Sequence, residues 1–260
     1  MSVLEAGHRL EGRLRARAAA VLVSIEGGLD RIMMGWLLVA GLASALRIAT
    51  SPAGAPDMGT IAPYLLLILA PFASMVLALR WFADGELQPQ PQFRLARIGR
   101  WRSVSRAEAR SHRLYGAGGL MVSLLVGILL NVPVRALEYL AALPAISGSV
   151  PPWLAVLRAT MTVDLIVMSS LYTIAFVAAL RRVPLFPRLL VAIWGLDLAM
   201  QLITAEMVAN TAGLPPRVAG ALETLLEGNV KKVLISAALW LPYLLLSRRV
   251  NLTYRQRVPA

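Results

Sequence analysis

Six apolar blocks constrain this chain more than any other feature. They lie near residues 31–49, 61–82, 116–142, 153–180, 186–209 and 230–247. Each comes close to the roughly 20 helical residues that cross a hydrocarbon core about 30 Å thick. Composition agrees: 58 % of residues are hydrophobic and 15 % charged, against about 45–50 % and 25 % in soluble domains. The length of 260 residues suits one bundle better than two domains. The fold class read from the sequence is therefore all-α, a polytopic membrane bundle of six transmembrane helices. The short apolar run "AAAVLVSI" follows Arg-rich sequence and leads into "EGGLD" with no A-x-A site, so no cleaved signal is expected and the first span should stay as an anchor. With no cysteine, disulfides, thiolate nucleophiles and iron–sulfur clusters are excluded.

Orientation follows from the cations. If the N-terminus is inside, segments 1–31, 80–113, 181–188 and 248–260 face the cytoplasm and hold 20 of the 26 Lys and Arg. The outer side keeps only Arg47, Arg135, Arg158, Arg217, Lys231 and Lys232. Such a positive-inside bias, counted over short loops, places both termini in the cytoplasm of a bacterial inner membrane. Tyr64, Tyr139 and Trp153 then fall at the outer interface, and Trp81, Tyr115, Trp240 and Tyr243 at the inner one. Glu223 and Glu227 offset the exceptional Lys231 and Lys232.

Outside the spans, residues 1–30 form a basic unit in which Val3, Gly7, Leu10, Leu14, Ala18 and Val21 share one helical stripe. That stripe fits either an interfacial helix or a solvated basic leader. Residues 31–82 read as a two-helix N-terminal membrane unit and 83–114 as a basic loop opened by the Pro-rich spacer "ELQPQPQ". Its continuation "FRLARIGRWRSVSRAEARSHR" carries seven arginines and one glutamate between two spans, so anionic inner-leaflet lipid, not nucleic acid, is its expected partner. Ser105 with Glu108 makes a capping box for a helix expected to run into the third span. The stretch "LPPRVAGALETLLEGN" reads as a separate short surface helix ending at Gly228.

Inside the spans the informative residues are ionisable. Asp164 and Asp197 each lie about 11 residues into a helix, near the bilayer midplane at 1.5 Å per residue. An aspartate there costs about 2.5–3.5 kcal/mol, so it needs a partner or a proton. Asp197 shares a face with Trp194, Gln201 and Thr204, and Asp164 with Met161, Met168 and Tyr172. Asn131, Pro133, Arg135 and Glu138 follow along the third span, where Pro133 should bend the helix. Arg135 can reach Asp164 or Asp197, or pair with Glu138 one turn away. Asn131, Arg135, Glu138, Asp164, Asp197 and Gln201 are thus a candidate intramembrane polar cluster. It would be either a cavity for a proton, ion or small solute, or hydrogen-bonded glue between helices. His8 and His112 lie outside the spans, which removes bis-His haem and intramembrane zinc. No P-loop, G-x-S-x-G or G-x-G-x-x-G is found, so no catalytic constellation, cofactor or metal ligand is assigned.

Three further features carry a resemblance: Gly118-Gly119 at the third span, "FPRL" with Phe186, Pro187 and Arg188, and a last helix ending W-x-P-Y-x₃-S-x-R-V-x₂-T. In that ending stand Trp240, Pro242, Tyr243, Ser247, Arg249, Val250 and Thr253. On these residues, 115–260 resembles a family of bacterial multi-pass inner-membrane proteins catalogued as a domain of unknown function, although Leu120 stands where that family has Trp. The resemblance implies a four-helix membrane domain and no activity. The function expected is that of a non-enzymatic accessory or scaffolding subunit binding other membrane proteins, lipids or further copies of itself. The alternative is a small proton- or ion-coupled transporter or channel using Asp164 and Asp197.

Overall fold

The computed structural model describes the backbone of residues 3–51, 57–93, 95–96 and 98–260, with side chains from residue 12 onward apart from 14 and 15. Most of the expected stripe (Val3, Gly7, Leu10 and Leu14) therefore lies outside the described side chains, although its backbone is helical as α1 (Val3–Glu26). Ile25, near the end of α1, is buried in the main core.

Six helices are long and apolar enough to cross a membrane: α2 (Leu29–Ala49), α3 (Met58–Trp81), α5 (Leu120–Ala142), α6 (Pro152–Leu180), α7 (Phe186–Ala209) and α8 (Pro216–Leu246). The chain is a multi-pass, all-α membrane protein. Helix α6 is the central post, packed against α3, α5 and α7. Its apolar window is 61 % buried, against 11 % for α2 and α8, which flank the bundle. Because α3 lies directly along α6, the first two spans share the core of the other four.

The helix ends follow local chemistry. Asp57 caps α3, its carboxylate accepting from Thr60 N at 2.8 Å and Thr60 Oγ1 at 2.6 Å. Those bonds hold the Asp57 carboxyl below its ordinary range. Proline stands in the first turn of α6, α7 and α8, where the missing amide costs nothing.

Two sequence expectations fail here. Ser105 does cap a helix, accepting from Glu108 N at 3.1 Å, but α4 (Arg106–Ser111) ends at once and does not run into α5. The chain between them turns through Gly116 (φ +102) and Gly119 (φ +64), left-handed conformations that no right-handed helix can pass through. Second, the stretch before Gly228 is no separate helix, because α8 runs unbroken from Pro216 to Leu246. Its 31 residues extend roughly 46 Å, longer than a hydrocarbon core, so its first turns project beyond it. A glycine without a left-handed backbone lowers helix stability by about 1 kcal/mol but does not stop it.

One end of the bundle gathers α1, residues 82–93 and 98–119, the α6–α7 turn and the C-terminal residues. There α9 (Arg248–Arg255) and the short strands β1 (Trp101–Ser103) and β2 (Arg257–Pro259) form a cap. The strands pair antiparallel, with Arg102 opposite Val258. Val104, Ala109 and Leu252 make a small core of their own beneath them. Neither strand was expected from the sequence.

Candidate functional site

Helices α5, α6 and α7 bring their ionisable residues to one level. On α5, Asn131, Arg135 and Glu138 recur at helical spacing on one side. On α7 the stripe Trp194, Asp197, Gln201 and Thr204 is wholly buried, as its periodicity requires. Arg135 resolves the choice left by the sequence: it bonds both aspartates and not Glu138. Its Nη1 donates to Asp164 Oδ2, and its Nη2 donates to both carboxylate oxygens of Asp197, at 2.8 Å each.

Asp197 is 0 % exposed and saturated. Tyr172 OH adds a bond to its Oδ2 at 2.8 Å, and Gln201 Nε2 one to its Oδ1 at 3.4 Å. Asp164 has fewer partners, Arg135 and Gln201 Nε2 at 3.3 Å. Gln201 in turn accepts from Asn229 Nδ2 of α8 at 3.3 Å, so the network ties four helices together. Asn131 does not join: its Oδ1 is buried with no partner among the described residues, and so is Arg135 Nε. Glu138 turns instead to Lys232 of α8, while Lys231 pairs with Glu227 at 2.9 Å. The sequence reading missed Asn229, because it sits where a helix end was expected.

Space decides what the cluster can do. Two clefts flank Arg135, of about 20 Å³ against Asp164 and Gln201 and about 50 Å³ against Asn131 and Tyr172. Volumes of that size hold one to a few waters. Inside the bundle, two carboxylates face one guanidinium. Toward the basic end, the core beyond the cluster is apolar, with Met121, Leu125, Met168 and Phe176 all buried.

The glycine pair, the "FPRL" turn and the C-terminal stretch from Trp240 to Thr253, far apart in sequence, meet at the basic end. Ser247 caps α9, its Oγ accepting from Val250 N at 3.4 Å. Thr253 Oγ1 accepts from Gly116 N at 3.0 Å, and Arg249 lies against Gly118 and Gly119 and donates to Gly116 O at 3.4 Å. Phe186 stacks obliquely on the buried Tyr254 at 5.1 Å, whose hydroxyl donates to Ala179 O at 2.7 Å. Trp240 and Tyr243 pack edge to face at 5.8 Å, and Pro242 lies inside α8. A motif read as a membrane exit is thus also a clamp, holding the glycine turn before α5 against α9.

No family model, curated protein or solved structure matches this chain. Its own six apolar helices, which make it a multi-pass membrane protein, are what identify it.

Proposed function

We propose that this protein is a non-enzymatic accessory or scaffolding subunit of a bacterial inner membrane, with both termini cytoplasmic. It works by binding other membrane proteins or lipids along its flanks. One contrast carries this reading: the polar cluster is closed down to water-sized clefts, whereas the room for a ligand lies outside the bundle. A groove of about 300 Å³ runs among α2, α3 and α5, lined by Trp36, Phe72, Met75 and Leu129. A second, of about 440 Å³, lies between α7 and α8, lined by Leu202, Ala205, Leu222 and Val230. Both are apolar and suit an acyl chain or a partner's helix.

Purification in mild detergent at native expression, with mass analysis of protein and lipid, tests this. A stoichiometric partner or lipid is expected, and Gly35→Trp, which fills the first groove, should release it. A lone, lipid-free monomer would overturn the reading.

The excess of carboxylate over guanidinium at Arg135 supports a second reading, a proton- or cation-coupled transporter. Reconstituted protein would then carry a proton or cation flux that Asp164→Asn abolishes. On the scaffolding reading, flux stays at the level of empty liposomes.

A further inference from the structure

Arg255 ends α9 and is only 5 % exposed. Its Nη1 reaches Asn251 Oδ1 at 3.3 Å. Its Nε and Nη2 are buried with no hydrogen-bond partner among the described residues. Oδ1 is the one side-chain acceptor of Asn251, whose Nδ2 donates to the carbonyls of Leu245 and Ser247, at 2.9 and 3.0 Å.

Among the described residues, the charges that act on Arg255 are those of Arg188 and Arg257, both positive. Burial, with their repulsion, lowers Arg255 to about 10, so it remains charged at neutral pH. Arg188 is itself 8 % exposed and stands in the first turn of α7, where the helix dipole adds its positive end. Buried charges are usually paired, whereas the Arg255 guanidinium leaves two of its three nitrogens without a hydrogen bond among the described residues.

The idle edge, Nε with Nη2, is the side of the guanidinium fork that matches two oxygens of a phosphate. Residues 90–93 border the site, with Gln90 Nε2 donating to Tyr254 O at 3.1 Å and Arg188 donating to Phe93 O. The partly exposed Arg257 borders it at the start of β2.

We infer that Arg255, with Arg188 and Arg257 around it, is a binding site for a phosphate group, supplied either by an anionic lipid headgroup or by free phosphate. The site is separate from the apolar grooves, so a ligand lost in Arg255→Met but kept in Gly35→Trp belongs to this site and not to the proposed function.

The test is thermal unfolding of the full chain in phosphate-free nanodiscs of phosphatidylcholine. Potassium phosphate is compared with potassium chloride at equal ionic strength, and a parallel set of nanodiscs carries phosphatidylglycerol. A ligand of the folded state raises Tm by mass action. The wild type should gain several degrees from phosphate, from phosphatidylglycerol, or from both. Phosphatidylglycerol alone identifies a headgroup site, phosphate alone a free-anion site, and both a site open to either.

In Arg255→Met the gain should vanish while the ligand-free Tm equals or exceeds that of wild type, because an unmatched buried charge has been replaced by an apolar chain. Exposed Arg113→Gln should keep the full gain. If Arg255→Met does not fold, Arg255→Lys decides: it keeps the charge but loses the fork, so at least half of the gain should go. No gain over chloride in the wild type overturns the inference, as does an undiminished gain in Arg255→Met or, where that variant does not fold, in Arg255→Lys.

Discussion

At the scale of single residues, Arg135 is worth more as a partner than as a charge. Removing one member of a buried ion cluster strands the others, whereas replacing the whole cluster with apolar groups is often neutral. Arg135→Met should therefore destabilise the bundle by about 3–5 kcal/mol. The triple variant Arg135→Met, Asp164→Leu, Asp197→Leu should recover most of that loss. Unfolding by denaturing detergent, followed by circular dichroism, measures both. A triple variant as weak as the single one would mean that the network supplies stability that apolar packing cannot replace. The aspartates were legible in the sequence, because a charge in mid-span must face inward. The choice that Arg135 makes, the aspartates over Glu138, was not. It depends on how far α5 is turned toward α6 and α7, and no spacing within α5 encodes that.

At the scale of elements, α8 shows how a breaker residue can mislead. Gly228 marks a helix end only if its backbone turns left-handed, and among the described glycines the positive φ values belong to Gly99, Gly116, Gly119, Gly148 and Gly213. A Cβ built on Gly228 meets open space. Gly228→Ala should thus stabilise the protein by about 1 kcal/mol, as for a glycine in mid-helix. A loss of stability in thermal unfolding would restore the break at Gly228. The unbroken helix also accounts for Asn229 and Lys232: continuity of α8 presents them to Gln201 and Glu138. At the other end of the spectrum, Gly119 was read as a family mark and proves to be a turn, its φ of +64 setting the start of α5.

At the scale of the whole molecule, an even number of spans returns the chain to its starting side, and the cap collects the basic segments there. The bias of cations toward that side predicts where it faces. A fluorescent-protein fusion at Ala260 should fluoresce, and an alkaline phosphatase fusion there should stay silent. The reverse pattern would invert the topology.

The sequence by itself determined the helical class, six spans close to their observed ends except at the start of the last, and which residues inside them must face inward. Those properties are local or depend on one helix and its solvent: hydropathy, periodicity and the cost of a charge in lipid. Only the tertiary structure decided the pairing of Arg135, the β1–β2 strand pair, the clamp of Arg249 and Thr253 on the glycine turn, and the unmatched Arg255. Each of these joins segments separated by anything from about thirty to more than one hundred and fifty residues. Their contacts depend on how helices rotate and stack against α6, a property of the packed bundle that no single helix carries.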